Sequence, residues 1–279
     1  MSGTRMPRPV RLCVTDLDGC LLDAESHIPD GFDDTLAFCS RQGMTVCAAS
    51  GRSVEGMKEA VGPLADRMAL ISDNGARVWV HGVERYCRTI PCEVWKPVAR
   101  EAGRHPGLHL VMTLRDGAVL DGGSSLSGKE TAELLKYYPE WKTASVLSMG
   151  VDAVKLSLLY FGDIEKEIYP FFDRFNASGL SVRCTARTWI DVNLAEVDKS
   201  DGVRELQRLL DVSKEETAVF GDYLNDLSMA DYAAWAFAPS NAHPEVQRKF
   251  NRHIGHHADG SVSKAILTLA GGFLPEENV

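Results

Sequence analysis

The chain has 279 residues, 44% hydrophobic and 25% charged, as in a soluble globular protein of one large or two modest domains. Its net charge of −9, from 30 basic and 39 acidic residues, argues against a general affinity for nucleic acid or anionic membranes, which rests on clustered positive charge. It leaves room for a small anionic substrate, because a metal ion and one or two lysines reverse the local field.

In chain order, Arg5 and Arg8 are followed by no apolar segment of signal-peptide length, so no leader is expected. No run approaches the roughly 20 apolar residues of a membrane span. Val10–Thr15 is a nearly continuous apolar run, the pattern of a parallel strand buried on both faces. Asp33–Gln42 has helical spacing and stops at Gly43; Met44–Ala49 predicts a second strand, Val54–Val61 a helix ended by Gly62-Pro63, and Met68–Ile71 a third strand. This alternation predicts a doubly wound parallel α/β sheet with ligands beyond the carboxyl ends of its strands.

The grammar then changes. Arg77–Val80 and Glu84–Arg88 read as a hairpin through His81-Gly82, and Leu108–Leu114 and Val119–Asp121 as another around Asp116-Gly117. Ser127–Tyr138 and Ile164–Ala177 read as helices, and Val154–Tyr160, Leu180–Cys184 and Trp189–Leu194 as strands. The strand–helix alternation resumes with a helix over Gly202–Leu210, strands at Thr217–Phe220 and Ala234–Ala238, and a helix over Val262–Leu269. The expected organisation is a core of residues 1–87 with 189–279, and an inserted α+β domain over 88–188. Seven scattered cysteines without a C-x-x-C pair suit a reducing cytoplasm. Oligomeric state is not legible.

Four short stretches carry chemistry. Asp16-Leu17-Asp18-Gly19 follows the first strand; two carboxylates at about 4 Å repel by about 1 kcal/mol in water and about 4 kcal/mol at an effective dielectric of 20, so a divalent cation or a retained proton must relieve them. Asp and Gly also populate plain surface turns. Ser50-Gly51-Arg52 ends the second strand, where a hydroxyl and bare N–H groups before a helix make an anion pocket, or where Ser50 or Ser53 caps that helix. Gly221-Asp222-Tyr223-Leu224-Asn225-Asp226 supplies oxygen ligands of the kind Mg²⁺ prefers, and Asp222 precedes any plausible cap position. Lys199 stands just before a predicted helix N-terminus, an electrostatically poor place for it unless an anion is near.

The order and spacing of these stretches resemble the haloacid dehalogenase superfamily, in its Cof-type branch with an α/β cap inserted between the second and third motifs. The likeness covers most of the chain and includes Asp73-Asn74-Gly75-Ala76, the strand of Lys155, Asn241-Ala242-His243-Pro244-Glu245-Val246 and Asp259-Gly260. Two departures are Cys20, where Thr or Val is usual, and Ser200, where Gly commonly follows the lysine. The resemblance implies a Rossmann-like core and an Mg²⁺-dependent phosphatase acting on a small phosphorylated metabolite, a sugar phosphate first among them. It implies Asp16 as nucleophile, with an aspartyl-phosphate intermediate, and Asp18 as general acid and base. Mg²⁺ would be held by Asp16, the backbone carbonyl of Asp18 and Asp222, with Asp226 acting through a water. Ser50, the N–H of Gly51, Lys199 and Asn225 would hold the phosphate oxygens.

Arg52, Asn74 and Lys155 are candidates for the leaving group, against plainer roles as an ion-paired helix residue, a turn former and a solvated strand position. Trp141 and Trp189 are expected in the core, and His253, His256 and His257 in a surface loop. A sugar phosphomutase on the same scaffold stays open, distinguished by isomer formation without phosphate release. So does a phospho-accepting signalling domain, although such domains lack a cap of about a hundred residues and a second acid two positions after the nucleophile.

Overall fold

Leu12-Cys13-Val14-Thr15 offers no large polar side chain to either face, and it lies fully buried as the first strand. The computed structural model describes residues 4–123 and 125–276. The first elements are β1 (Leu12–Asp16), α1 (Phe32–Arg41), β2 (Thr45–Ala49), α2 (Val54–Val61), β3 (Ala69–Ser72), β4 (Arg77–Val80) and β5 (Val83–Cys87). Then come α3 (Cys92–Ala102), β6 (His109–Leu114), β7 (Gly117–Asp121), α4 (Gly128–Tyr137), β8 (Lys142–Ala144) and β9 (Lys155–Leu159). Two single-turn helices, α5 (Ile164–Glu167) and α6 (Tyr169–Phe172), lead to β10 (Leu180–Ala186) and β11 (Trp189–Leu194). The chain continues through α7 (Lys199–Leu210), β12 (Thr217–Phe220), β13 (Trp235–Pro239), α8 (Pro244–Lys249), β14 (Arg252–Ile254) and α9 (Ser261–Ala270). No described helix is long and apolar enough to cross a membrane.

Two compact units result. The first holds the described residues up to Ser50, Ala60–Tyr86 and those from Lys199 onward; the second holds Gly51–Glu59 and Cys87–Asp198. The first unit is built on an eight-stranded sheet ordered β14-β13-β12-β1-β2-β3-β4-β5, in which β1 pairs in parallel with both β2 and β12. Strand order reverses beside β1, which places the ligand crevice of a doubly wound sheet at the carboxyl ends of β1 and β12.

The second unit has a six-stranded sheet ordered β10-β11-β9-β6-β7-β8, antiparallel except where β8 joins β7. Alternation sorts its side chains: Leu156 and Leu158 face a cluster with Trp95, Val98 and Phe172, while Val111, Leu159 and Trp189 pack on Leu134 and Tyr138. Trp189 is core, as expected, with its ring 5.0 Å from that of Tyr137. Trp141 packs against the same cluster, partly buried.

Several expectations need correction. Trp189–Leu194 pairs with β9 and β10, so the chain returns to the first unit at Lys199 and not at 189. Gly51–Glu59 belongs with the second unit because the Ser53 hydroxyl donates to the Tyr137 carbonyl (2.8 Å) and Gly56 lies flush on it, where a methyl group would sit 2.4 Å from the oxygen. The single helix expected over 164–177 is broken into short turns, since Pro170 has no N–H for the Lys166 carbonyl and its ring would collide with it. Four elements are not foreseen from the sequence: α3, whose apolar spacing is interrupted by Pro97, the six-residue α8, and the three-residue edge strands β8 and β14. His253 lies in β14 and bonds the Gln247 carbonyl through Nε2 (2.8 Å), so it is strand and not loop.

Candidate active site

At the end of β1 the buried Thr15 hydroxyl donates to the Asp16 carbonyl (2.8 Å) and contacts the Cys20 sulfur (3.5 Å), which fixes the turn that follows. Cys20 therefore packs where the family usually carries Thr or Val, and burial, reinforced by Asp16 and Asp222, drives its thiol pKa well above the ordinary value. Gly19 has φ +76°, and a methyl group there would lie 2.5 Å from Asp222 Oδ2, so only glycine allows the first loop to press on the third. The Asn241 side chain donates to the Gly19 carbonyl (2.8 Å) and accepts from the His257 amide (3.2 Å), and His257 Nδ1 meets the Leu22 carbonyl at 2.8 Å. Asn241 and His257 thus brace the loop. The sequence gives neither this role, because each acts through backbone atoms of distant residues.

Lys199 reaches the same place from the opposite side. It is the first residue of α7, not a residue ahead of it, and Gly202 one turn later lies against Ile71 of β3 so closely that a methyl group would sit 2.4 Å from Cγ2. That close approach carries the buried ammonium onto Asp16 Oδ1 and Asp226 Oδ1, the latter at 2.6 Å. Burial opposes the Lys199 charge, but the two carboxylates outweigh it and raise its pKa above the ordinary lysine value. Asp226 also accepts the Asp222 and Tyr223 amides through Oδ2 (2.9 and 3.0 Å), so both its oxygens are engaged and the loop after β12 is wound around it. Gly221 makes room, since a methyl group there would lie 2.5 Å from Asp226 Cβ.

Asp16, Asp222 and Asp226 place one carboxylate oxygen each within 4.8 Å of one another. One ammonium cannot neutralise three carboxylates. Burial, against the pull of Lys199 and with the push of Asp226 and Asp18, lifts the Asp16 pKa to about 7. Burial again, then Asp16 and Asp226, lifts Asp222 to about 9. Asp222 Oδ1 is buried with no hydrogen-bond partner. A buried, unpartnered carboxylate oxygen beside two further carboxylates is the donor set a hard divalent cation takes, so the residues fit Mg²⁺.

Ser50 directly follows β2 with both peptide groups tied: its N–H donates to the Ile71 carbonyl (2.9 Å) and its carbonyl accepts from Asn74 N–H (3.1 Å). Asp73 and Asn74 both have positive φ (55° and 58°) and both are buried, a strain that persists only where surrounding contacts impose it. Asp18 is partly buried two residues after Asp16, and Asn225 is partly buried in the turn over Leu224–Tyr232. In the second unit, Arg52 donates to the Lys136 carbonyl (3.0 Å) and lies 5.7 Å over the Tyr137 ring, and Lys155 donates to the Gly51 carbonyl. Both side chains are buried among protein partners, so neither is the solvated position that was one option for Lys155.

Residues 13–266 match the family model for haloacid dehalogenase-like hydrolases. YkrA of Bacillus subtilis (strain 168), named provisionally as a phosphatase, is 29% identical over 242 residues, 85% of this chain and 89% of that one. The 5-amino-6-(5-phospho-D-ribitylamino)uracil phosphatase YbjI of Escherichia coli (strain K12) is 24% identical over 240 residues, 84% of this chain and 86% of that one. Among solved structures, the HAD subclass IIB sugar phosphatase BT4131 superposes with a TM-score of 0.78 at 21% identity, covering 92% of this chain and 98% of that one. The chain belongs to the haloacid dehalogenase-like hydrolases.

Proposed function

We propose that the chain is an Mg²⁺-dependent phosphatase of a small phosphorylated metabolite, a sugar phosphate by preference, working through an aspartyl-phosphate on Asp16. The observation that carries this reading is the buried cluster at the switch point of the sheet. There Lys199 touches Asp16, and Asp222 presents a buried oxygen that no protein donor satisfies. The cation would be held by Asp16, the Asp18 carbonyl and Asp222, and would supply Lewis-acid stabilisation of charge on the phosphoryl oxygens. Asp226, with both oxygens engaged, orients Lys199 and would meet the cation through a water.

Asp16 attacks phosphorus in line and expels the alcohol; Asp18 gives the alcohol its proton and later takes one from the attacking water. Ser50, Lys199, Asn225 and the Gly51 N–H bind the non-bridging oxygens, where donors fixed in advance are most effective. Selection of the alcohol is assigned to the inserted unit, with Asn74 of the first unit as a further candidate contact. Sugar phosphate is the preferred class because the subclass IIB relative is named for it. The free thiols of the chain fit a cytoplasmic setting.

The test is a screen of phosphate esters (sugars, nucleotides, flavin and pyridoxal phosphates) with Mg²⁺, run beside Asp16→Asn. The expected result is Mg²⁺-dependent phosphate release that vanishes in the variant while its circular dichroism spectrum is unchanged. Release at the parent rate by Asp16→Asn overturns the assignment of the nucleophile.

A further inference from the structure

The six-stranded sheet carries a polar patch that its core does not need. Alternation puts Lys155 and Ser157 of β9 on the face that further along holds Leu159, and β11 sets Asp191 opposite Ser157. Ser157 donates to Asp191 Oδ1 (2.5 Å) and meets the Tyr138 hydroxyl at 2.9 Å; Asp191 Oδ2 lies 3.6 Å from Lys155 Nζ, which also lies 5.6 Å over the Tyr138 ring. Lys155, Ser157 and Tyr138 are each 1% exposed and Asp191 6%. Burying an ammonium and a carboxylate costs several kcal/mol per ion before pairing recovers it, and apolar side chains of similar size usually serve packing as well or better. The network reaches backbone off the sheet through Lys155, which donates to the carbonyl of Gly51.

Gly51 directly follows Ser50. The Ser50 peptide is held by Ile71 and Asn74, and the next carbonyl is held by Lys155. We infer that Lys155, aligned by Asp191 and Ser157, is a positioning residue: it pins the carbonyl on the far side of the freely rotating Gly51 and so holds the short loop that carries the Ser50 hydroxyl and the Gly51 N–H. Lys155 then acts on turnover through the backbone, not by touching the leaving group. The inference rests on the phosphatase reading for the role of Ser50, but its hydrogen bond can be tested without it.

The experiment uses the full chain and the variants Lys155→Met, Asp191→Asn, Ser50→Ala and Lys155→Met/Ser50→Ala. The carbonyl ¹³C resonance of Gly51 is expected to move upfield in Lys155→Met and, by a smaller amount, in Asp191→Asn; an unmoved resonance in both overturns the inference whether or not any ester is hydrolysed. On p-nitrophenyl phosphate with Mg²⁺, Lys155→Met should lower kcat by about tenfold to a hundredfold, the scale of a misplaced binding group. Ser50→Ala should cost about a hundredfold in the parent, but less than about threefold in the Lys155→Met background, because a misaligned hydroxyl has little left to lose. An equal Ser50→Ala loss in both backgrounds means Lys155 serves stability only and overturns the inference. Should Lys155→Met fail to fold, the cycle is run with Asp191→Asn under the same two criteria. No phosphate release by the parent, with the Gly51 shift present, would sink the phosphatase reading and leave the positioning bond standing.

Discussion

Replacing Asp222 by Asn should make the metal-free protein more stable while removing its response to Mg²⁺. Asp222 is half-buried beside Asp16 and Asp226, with Oδ1 fully covered, and burial pushes its carboxyl up to about 9 from an ordinary 3.8. With the folded pKa above the unfolded one, stability is intact below about pH 4 and is lost as the pH climbs towards 9. At pH 8 the unfolded chain has released a proton that the folded chain retains, a ceiling of about 6 kcal/mol at about 1.4 kcal/mol per pH unit. Because Asp16 and Asp226 share the strain and Lys199 relieves part of it, the gain expected for Asp222→Asn is about 2–4 kcal/mol, or roughly 5–15 °C in Tm. The assay is thermal unfolding in EDTA at pH 5 and pH 8.5, repeated with Mg²⁺. The gain should be less than half as large at pH 5, and Mg²⁺ should stabilise the parent at pH 8.5 but not the variant. A Tm that falls in Asp222→Asn at pH 8.5 in EDTA, or a gain equal at both pH values, would refute the assignment of Asp222 as an uncompensated buried charge.

Lys199→Met should do the opposite, leaving Asp16 and Asp226 buried without a counter-ion: a loss of about 3–5 kcal/mol by urea denaturation, with kcat on p-nitrophenyl phosphate down by at least about a hundredfold. A stable or active variant would show that the ammonium is not what reconciles those acids. Gly202→Ala should cost about 1–3 kcal/mol by overpacking against Ile71, measured as a lower Tm. Adding Ile71→Ala should recover part of that loss, and strict additivity of the two changes would contradict the contact.

The parallel sheet and its four loops were legible because strands buried on both faces are written as unbroken apolar runs, and because the loops at their ends carry acids that no core tolerates. Asp16, Lys199, Asp222 and Asp226 do meet, as their order in the chain implied. What stayed hidden depends on three-dimensional neighbours. Pro97 inside α3 reads as a helix breaker, yet Trp95, Val98, Ala99 and Ala102 bury enough apolar surface to hold the helix around it. Pro170 has Ile164, Ile168 and Phe172 buried beside it, and its segment breaks all the same. Gly56 and Gly202 look like ordinary helix glycines until the Tyr137 carbonyl and the Ile71 side chain are seen pressed against them. Lys155 could not be separated in sequence from a solvated strand lysine, because alternation predicts which face a residue takes and not what waits there.

The placement of Lys199 explains how an acidic protein handles an anionic substrate. A lysine at the first position of α7 stacks its charge on the positive end of the helix, a cost that only nearby anions offset. Asp16 and Asp226 supply them, so the ammonium is already seated on Asp16, the proposed nucleophile. No side chain has to cross the site to meet charge developing on phosphorus, which is the arrangement in which fixed donors lower a barrier most. The same seating leaves Asp222 unmatched, and burial beside Asp16 and Asp226 makes it hold its proton, with a pKa of about 9. A divalent cation held by Asp16 and Asp222, as proposed above, would displace that proton and add positive charge where an anionic substrate arrives. On that proposal the chain's net charge of −9 sets no barrier to an anionic substrate, because the local field is set by Lys199 and the cation.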